Sequence, residues 1–338
     1  MIRSFALPLA DPLATARGAV DRREGFLFQR DGGLGEATPL PGWTESLRAC
    51  ERALGDAERA DDWPDALDAC EDAPAARHAV SLAGLDASAR DADESLADAL
   101  ADGDPADAVP VNATVGDASV EETVAAAERA ADEGFGTVKL KVGAREVSAD
   151  VERVQAVRDA TDLAVRADAN GAWTREQAHD ACYALGHVGV EYVEQPLPAH
   201  DLAGHADLRG SVDVALDESL TEYPVADVLT AADAVVLKPM ALGGVDRARD
   251  AALAAREAGV EPVVTTTVDA AVARTAAVHL AASVPDVGAC GLATARFLET
   301  DLAADPAPVA DGRVRVPDGP GHGVDVASGG LPGGTTDA

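Results

Sequence analysis

Thr137-Val138-Lys139-Leu140-Lys141-Val142 and, one helix-length later, Leu163-Ala164-Val165-Arg166-Ala167-Asp168 decide how this chain is read. Each is a short, β-rich apolar run carrying charged side chains, and Ala149–Ala160 between them has the alanine-rich, amphipathic pattern of a helix. The unit repeats. Strand-like runs fall at Val109–Thr114, Thr137–Val142, Leu163–Asp168, Val190–Glu194, Val212–Asp217, Ala234–Lys238, Glu261–Thr265 and Val287–Gly291. Helix-like segments such as Val120–Glu133, Arg175–Gly186 and Val245–Gly259 separate them, and Gly134, Gly186 and Gly259 stand where helix C-caps belong. Strands alternating with helices predict an α/β chain with a TIM-like barrel. A doubly wound open sheet is the alternative, but no GxGxxG follows the first strand.

Outside this region the pattern changes. Residues 1–107 begin with strand-like pieces, Ile2–Leu7 and Gly25–Arg30, joined by Gly-rich turns, and become helical from Thr44. They read as an N-terminal α+β domain, and 108–302 as the barrel. Arg313–Val316 is a candidate last strand within a C-terminal segment, 303–328, and 329–338 reads as a flexible tail.

The charge excludes several classes of function. Twenty-seven basic against sixty acidic residues give a net charge of −33, spread along the whole 338-residue chain. Such a surface repels nucleic acid and anionic membrane. Disorder is disfavoured by the 47% apolar content and its regular periodicity. The composition resembles that of cytosolic proteins from haloarchaea, which implies a halophilic, cytoplasmic protein whose acidic surface stays solvated in concentrated salt. Four cysteines without a CxxC pair fit a reducing compartment, and no apolar stretch suits a bilayer span or a signal peptide. The sequence carries no signal for an oligomeric state.

Of the 27 basic residues only Lys139, Lys141 and Lys238 are lysines. Arginine keeps its proton in a protein whereas lysine can be tuned to release it, so these three are suspects for chemistry. Barrel active sites lie at the C-terminal ends of the strands. Lys139 and Lys141 alternate with Leu140, so both point to one side of their strand. Asp168, Glu194 and Asp217 end three successive strand-like runs, and Lys238 ends the next. Each acid alone is equally a solvated strand-end residue. Three converging carboxylates repel one another unless a cation sits among them, and hard oxygen ligands suit Mg²⁺ or Mn²⁺.

This set, Lys139-x-Lys141, Asp168, Glu194, Asp217 and Lys238, resembles the signature of the enolase superfamily in its muconate-lactonising-enzyme subgroup. The resemblance implies a (β/α)7β barrel with an N-terminal α+β capping domain. Asp318-Gly319-Pro320-Gly321-His322-Gly323-Val324 is similar to the segment that returns to that domain. It also implies a small-molecule carboxylate substrate, a divalent cation on Asp168, Glu194 and Asp217, Lys141 as the catalytic base, Lys139 as the neighbour that tunes it and contacts substrate, and Lys238 on the opposite face. Three stretches resemble the o-succinylbenzoate synthase branch: Gly35–Trp43, Cys290–Thr294 and, less closely, Val264–Thr267. Substrate contacts are then expected from Thr265, Thr266, Gly291 and Leu292. The implied reaction dehydrates 2-succinyl-6-hydroxy-2,4-cyclohexadiene-1-carboxylate to 2-succinylbenzoate, a step of menaquinone synthesis. Racemisation of N-acylamino acids, dipeptide epimerisation, muconate cycloisomerisation and a non-enzymatic acid-binding barrel remain open as alternatives. No Asp-x-Asp stands near Gly291 to hold the α-ammonium group of a dipeptide.

Overall fold

The computed structural model describes residues 1–15, 18–326 and 332–333, so nearly all of the expected tail lies outside the described residues. The chain opens with β1 (Ile2–Thr15) and β2 (Gly18–Arg30), antiparallel with a register shift between Pro8 and Leu13. β3 (Gly33–Ala37) completes a three-stranded antiparallel sheet. Helices α1 (Leu47–Arg59), α2 (Trp63–Asp68), α3 (Pro74–Ala92) and α4 (Leu96–Leu100) follow. The side chains of Ser46, Asp62 and Ser95 cap α1, α2 and α4 by accepting a first-turn N–H.

Two readings of this part need correction. The first two strands are far longer than Ile2–Leu7 and Gly25–Arg30, because the bulge after Pro8 lets pairing resume past the prolines. Gly33–Ala37, to which the sequence reading gave no strand, is β3 with all five residues buried. Its glycines serve packing: a Cβ at Gly33 or Gly35 would come within 1.9 Å of the α3 carbonyl of Ala83 or Ala79.

The alternating region then runs β4 (Ala108–Pro110), β5 (Asn112–Val115), α5 (Val120–Asp132), β6 (Thr137–Lys141), α6 (Val147–Ala160), β7 (Ala164–Asp168), α7 (Arg175–Val188) and β8 (Tyr192–Glu194). It continues with α8 (Leu202–Leu208), β9 (Val214–Leu216), α9 (Val225–Val228), β10 (Ala234–Leu237), α10 (Pro239–Leu242), α11 (Val245–Glu257), β11 (Glu261–Val264) and α12 (Ala271–Ser283). Strands β5 to β11 form one seven-stranded parallel sheet in chain order. This is an α/β fold. Capping boxes, Ser119 with Glu122 and Thr174 with Gln177, start α5 and α7.

The run Val109–Thr114 proves to be two strands. Val111 donates its N–H to Gly312, while Asn112 donates to Cys290. β4 therefore pairs with β13 (Arg313–Arg315), which also pairs with β12 (Val309–Ala310). Val287–Gly291 makes no extended strand. Only Cys290 and Gly291 bridge, to Val111 beside β5 and to Thr265 beside β11, so both edges of the parallel sheet meet one segment. Gly186 is not a C-cap: α7 continues to Val188 and Gly189 caps it at φ +84°. Gly186 is glycine because Ser211 O would lie 2.3 Å from a Cβ there.

α12 is buried at every one of its positions, and its polar residues Arg274, Thr275, His279 and Ser283 all have hydrogen-bond partners. It packs on β11 and α11 and also on α4 and β3, joining the parallel sheet to the N-terminal elements. His279 on α12 accepts the Ala97 N–H through Nδ1, and its other nitrogen faces His322 O. His322 N–H donates to Asp86, and its ring approaches Leu34 O. Burial pushes His279 down to about 4 from 6.5. A buried histidine with a lowered folded-state value binds its proton more readily in the unfolded chain. Its contribution is therefore fully present above pH 6.5 and is lost as pH falls toward 4. At about 1.4 kcal/mol per unit this one group withdraws roughly 3 kcal/mol. Thermal melts in molar KCl should show stability declining across this window, with a shallower decline in His279→Gln. An equal decline in the variant would assign the effect to other groups.

Candidate active site

The paired registers of β6, β7 and β8 set Lys141 beside Asp168 and Asp168 beside Glu194. Equivalent register positions send side chains to the same face, so the three form a row at the strand ends. Lys139, two residues before Lys141, reaches the same carboxylate: Asp168 Oδ2 lies 2.9 Å from Lys139 Nζ and 2.6 Å from Lys141 Nζ. Lys139 also donates to both oxygens of Glu194, at 2.9 and 3.0 Å. Beyond β9 and β10, Lys238 Nζ donates to Asp217 Oδ2 at 2.5 Å. All three lysines are partly buried and all three acids are buried.

The electrostatics follow from three acids and three ammonium groups in a desolvated space. Burial opposes the charge on Asp168, but Lys139 and Lys141 outweigh it and hold the carboxyl well below its usual range. Burial, reinforced by the negative charge of Asp168, pushes Glu194 up to about 8 against the attraction of Lys139. Burial likewise pushes Asp217 up to about 6 despite Lys238. For Lys139, burial pulls downward, yet Asp168 and Glu194 keep it well above its ordinary value. Glu194 and Asp217 are thus acids short of positive charge.

Among the described residues, no three His, Cys, Asp or Glu side chains stand grouped as a metal centre; here the carboxylates turn to the lysines. The donor set nevertheless fits a hard divalent cation. It consists of three buried carboxylates at neighbouring strand ends, and Asp217 Oδ1 is buried without a hydrogen-bond partner.

Asn170 and Gln195, which the sequence did not single out, complete the site together with Trp43, the last residue of the Gly35–Trp43 stretch. Asn170, at φ +44°, accepts from Lys141 Nζ at 2.7 Å and donates to Glu218. Gln195, at φ +43°, accepts the backbone N–H of Asp217 and of Ser219, so the residue after Glu194 fixes the loop that carries the third acid. The signal lay in position: each follows a strand-end acid within two residues, where the chain must turn. Trp43 places its ring 3.4 Å from Lys238 Nζ, a cation–π contact from the N-terminal elements. Trp43, Pro74, Asp217, Leu220, Lys238 and Leu242 line a cavity of about 190 Å³.

The four positions expected to touch substrate are placed on the 264–294 side. Thr265 donates to Gly291 O at 2.8 Å, Thr266 shares a hydrogen bond with Thr294, and Leu292 is buried. The two hydroxyls are thus occupied within this region.

Comparison with known proteins bears directly on this arrangement. Residues 122–329 match the family described as enolase C-terminal domain-like. The chain belongs to that family. An o-succinylbenzoate synthase from Thermobifida fusca is 44% identical over 209 residues, spanning 59% of this chain and 64% of that relative. The match thus takes in just under two thirds of the relative's length. Among solved structures of this enolase-like type, the L-Ala-D/L-Glu epimerase of Bacillus subtilis superposes with a TM-score of 0.86 at 27% identity, covering 97% of this chain and 98% of that one. A dipeptide epimerase from Methylococcus capsulatus, described as complexed with Mg and a dipeptide, gives 0.84 at 29% identity over 96% of this chain and 98% of its own. No helix among the described residues is long and apolar enough to cross a membrane.

Proposed function

We propose that this chain is a metal-dependent o-succinylbenzoate synthase, a carbon–oxygen lyase that dehydrates a cyclohexadiene carboxylate to 2-succinylbenzoate. The observation that carries the reading is the ordered set of Lys139, Lys141, Asp168, Glu194, Asp217 and Lys238 at consecutive strand ends. The 44% identity to a protein of that activity chooses among the family's reactions. We take the fold as a (β/α)7β barrel, 108–302, under an N-terminal α+β capping domain, 1–107, with 303–328 returning to it. The bridges from Cys290 and Gly291 to the two sheet edges support closure. The acidic composition suits a cytoplasm of high salt.

In this reading Asp168, Glu194 and Asp217 hold Mg²⁺ or Mn²⁺, and the cation supplies Lewis-acid stabilisation of charge on the substrate carboxylate. Lys141 Nζ removes the proton from the carbon beside that carboxylate and then protonates the departing hydroxide. One group serving both transfers requires both bonds on the same face, a syn elimination. Asn170 and Asp168 fix the Nζ position. β6 and β10 stand four places apart in the sheet, so in an eight-membered barrel Lys238 faces Lys141 across the axis. It contributes positive charge over the ring.

An N-acylamino-acid racemase is the second reading, prompted by the epimerase neighbours. Racemisation needs Lys238 as an acid–base group on the second face. Lys238→Arg separates the two, because arginine keeps the charge and loses proton transfer. Dehydration should survive in part, whereas racemisation should fall by about 10²–10⁴-fold. Both are assayed in molar KCl with Mg²⁺. A wild-type protein that racemises N-succinylamino acids briskly and fails to dehydrate would overturn the assignment.

A further inference from the structure

The loop between β11 and α12 carries Thr265 and Thr266 and lies at the same end of the sheet as Lys238. Its backbone is strained. Val268 has φ +62°, a region that β-branched residues avoid. Two fully buried charged side chains from the N-terminal sheet hold it there. Arg23 of β2, 1% exposed, donates to Val268 O at 3.2 Å and to Thr38 O and Pro39 O on its own side. Glu36 of β3, 0% exposed, accepts the N–H groups of Ala270 at 2.8 Å and Ala273 at 2.9 Å, at the start of α12, and the Thr38 hydroxyl at 2.5 Å. Thr267 donates its hydroxyl to buried Asp269, whose carbonyl accepts from Arg274. Burying a carboxylate and a guanidinium is costly, and an apolar contact would join the two parts more cheaply. What these groups add is direction: each fixes a named backbone atom of one short loop.

We propose that Glu36 and Arg23 are positioning residues that strap the Thr265–Ala270 loop to the N-terminal sheet and thereby set the shape of the substrate-facing end of β11. The strap rests on the dehydratase reading only for its kinetic consequence; the loop's restraint is independent of it.

The charged and titratable groups facing Glu36 are Asp269 from the loop, Arg23 from β2, and His78 of α3, whose Nδ1 meets Glu36 O. Burial, with Asp269 reinforcing it, pushes Glu36 up to about 7. Ionised, it accepts all three bonds. Once protonated, it can donate that hydrogen to the Thr38 hydroxyl, and its bonds from the α12 N–H groups lose their charge assistance. The strap therefore loosens as pH falls through about 7.

Two variants test this. Glu36→Gln keeps the shape but puts an amide N–H against the helix N–H groups. Backbone hydrogen exchange across residues 264–273 should quicken, and KM should rise about tenfold, the loss of one buried charge-assisted hydrogen bond, with kcat little changed. Wild-type KM should climb more steeply below about pH 7 than that of the variant, in which only the strand-end acids still titrate. Val268→Gly relieves the backbone strain without changing the N-terminal sheet, but it empties a buried core position and frees the unfolded chain; it should give the same rise in KM with a lower melting temperature. Reduced melting temperature with unchanged exchange and unchanged KM in Glu36→Gln, or unchanged KM in Val268→Gly, would reduce Glu36 to a structural tie and overturn the proposal. Should the wild type not dehydrate at all, the functional reading fails, and the exchange comparison alone still decides the strap.

Discussion

Replacing Lys141 with arginine is expected to abolish turnover while the fold and the affinity for Mg²⁺ stay close to wild type. Arginine retains the positive charge that pairs with Asp168 at 2.6 Å, so the electrostatic environment of the acids is largely preserved. What it cannot do is give up its proton near neutrality. A lost acid–base group costs about 10²–10⁴-fold, and in the proposed dehydration one group would act in two successive transfers, which sets the expectation at the upper end. Circular dichroism and calorimetric titration with Mg²⁺ in molar KCl serve as the controls. Residual activity within tenfold of wild type would move the base to another residue, Lys139 being the nearest.

The second large effect is expected from Glu194→Gln. Glu194 is the middle acid of the row, buried, and raised to about 8 by burial and by Asp168. A cation beside it would reverse that by favouring the ionised form, so metal and proton compete for this group. Glutamine preserves volume and one acceptor but removes the charge. Mg²⁺ affinity should fall by more than the roughly 10–100-fold typical of losing an outer-shell partner, with activity falling in parallel. Asp168 should remain ionised through Lys139 and Lys141, so the fold should persist. An unchanged titration curve would remove Glu194 from the ligand set.

The sequence made the parallel strands legible because they are buried on both faces and read as apolar runs ended by charge. The strand-end rule then located Lys139, Lys141, Asp168, Glu194, Asp217 and Lys238 without any view of space. It failed where pairing depends on remote partners. Val109–Thr114 looks uniform, yet its backbone switches from one sheet to another at Val111, a change invisible without Gly312 and Cys290. Val287–Gly291 has strand-like composition, but only its last two residues find partners. Strand β3 escaped notice because glycines such as Gly33 and Gly35 signal a turn and a close helix–sheet approach equally well. Trp43, Arg23 and Glu36 lie more than 190 residues from Lys238, Val268 and Ala270, the groups they respectively touch. No local pattern encodes such contacts.

The gathering of Lys139, Lys141 and Lys238 at the strand ends makes the chain unusual as a target for amine chemistry. These three are the lysine amines of the sequence. Acylating reagents, aldehyde cross-linkers and amine-coupled supports, which decorate the outside of most proteins, would here meet no lysine side chain away from these strand ends. Reductive methylation with ¹³C-formaldehyde would give three lysine resonances, each reporting on the protonation and surroundings of one ammonium group. Addition of Mg²⁺ or of a carboxylate ligand could then be followed at all three without assigning the rest of the spectrum.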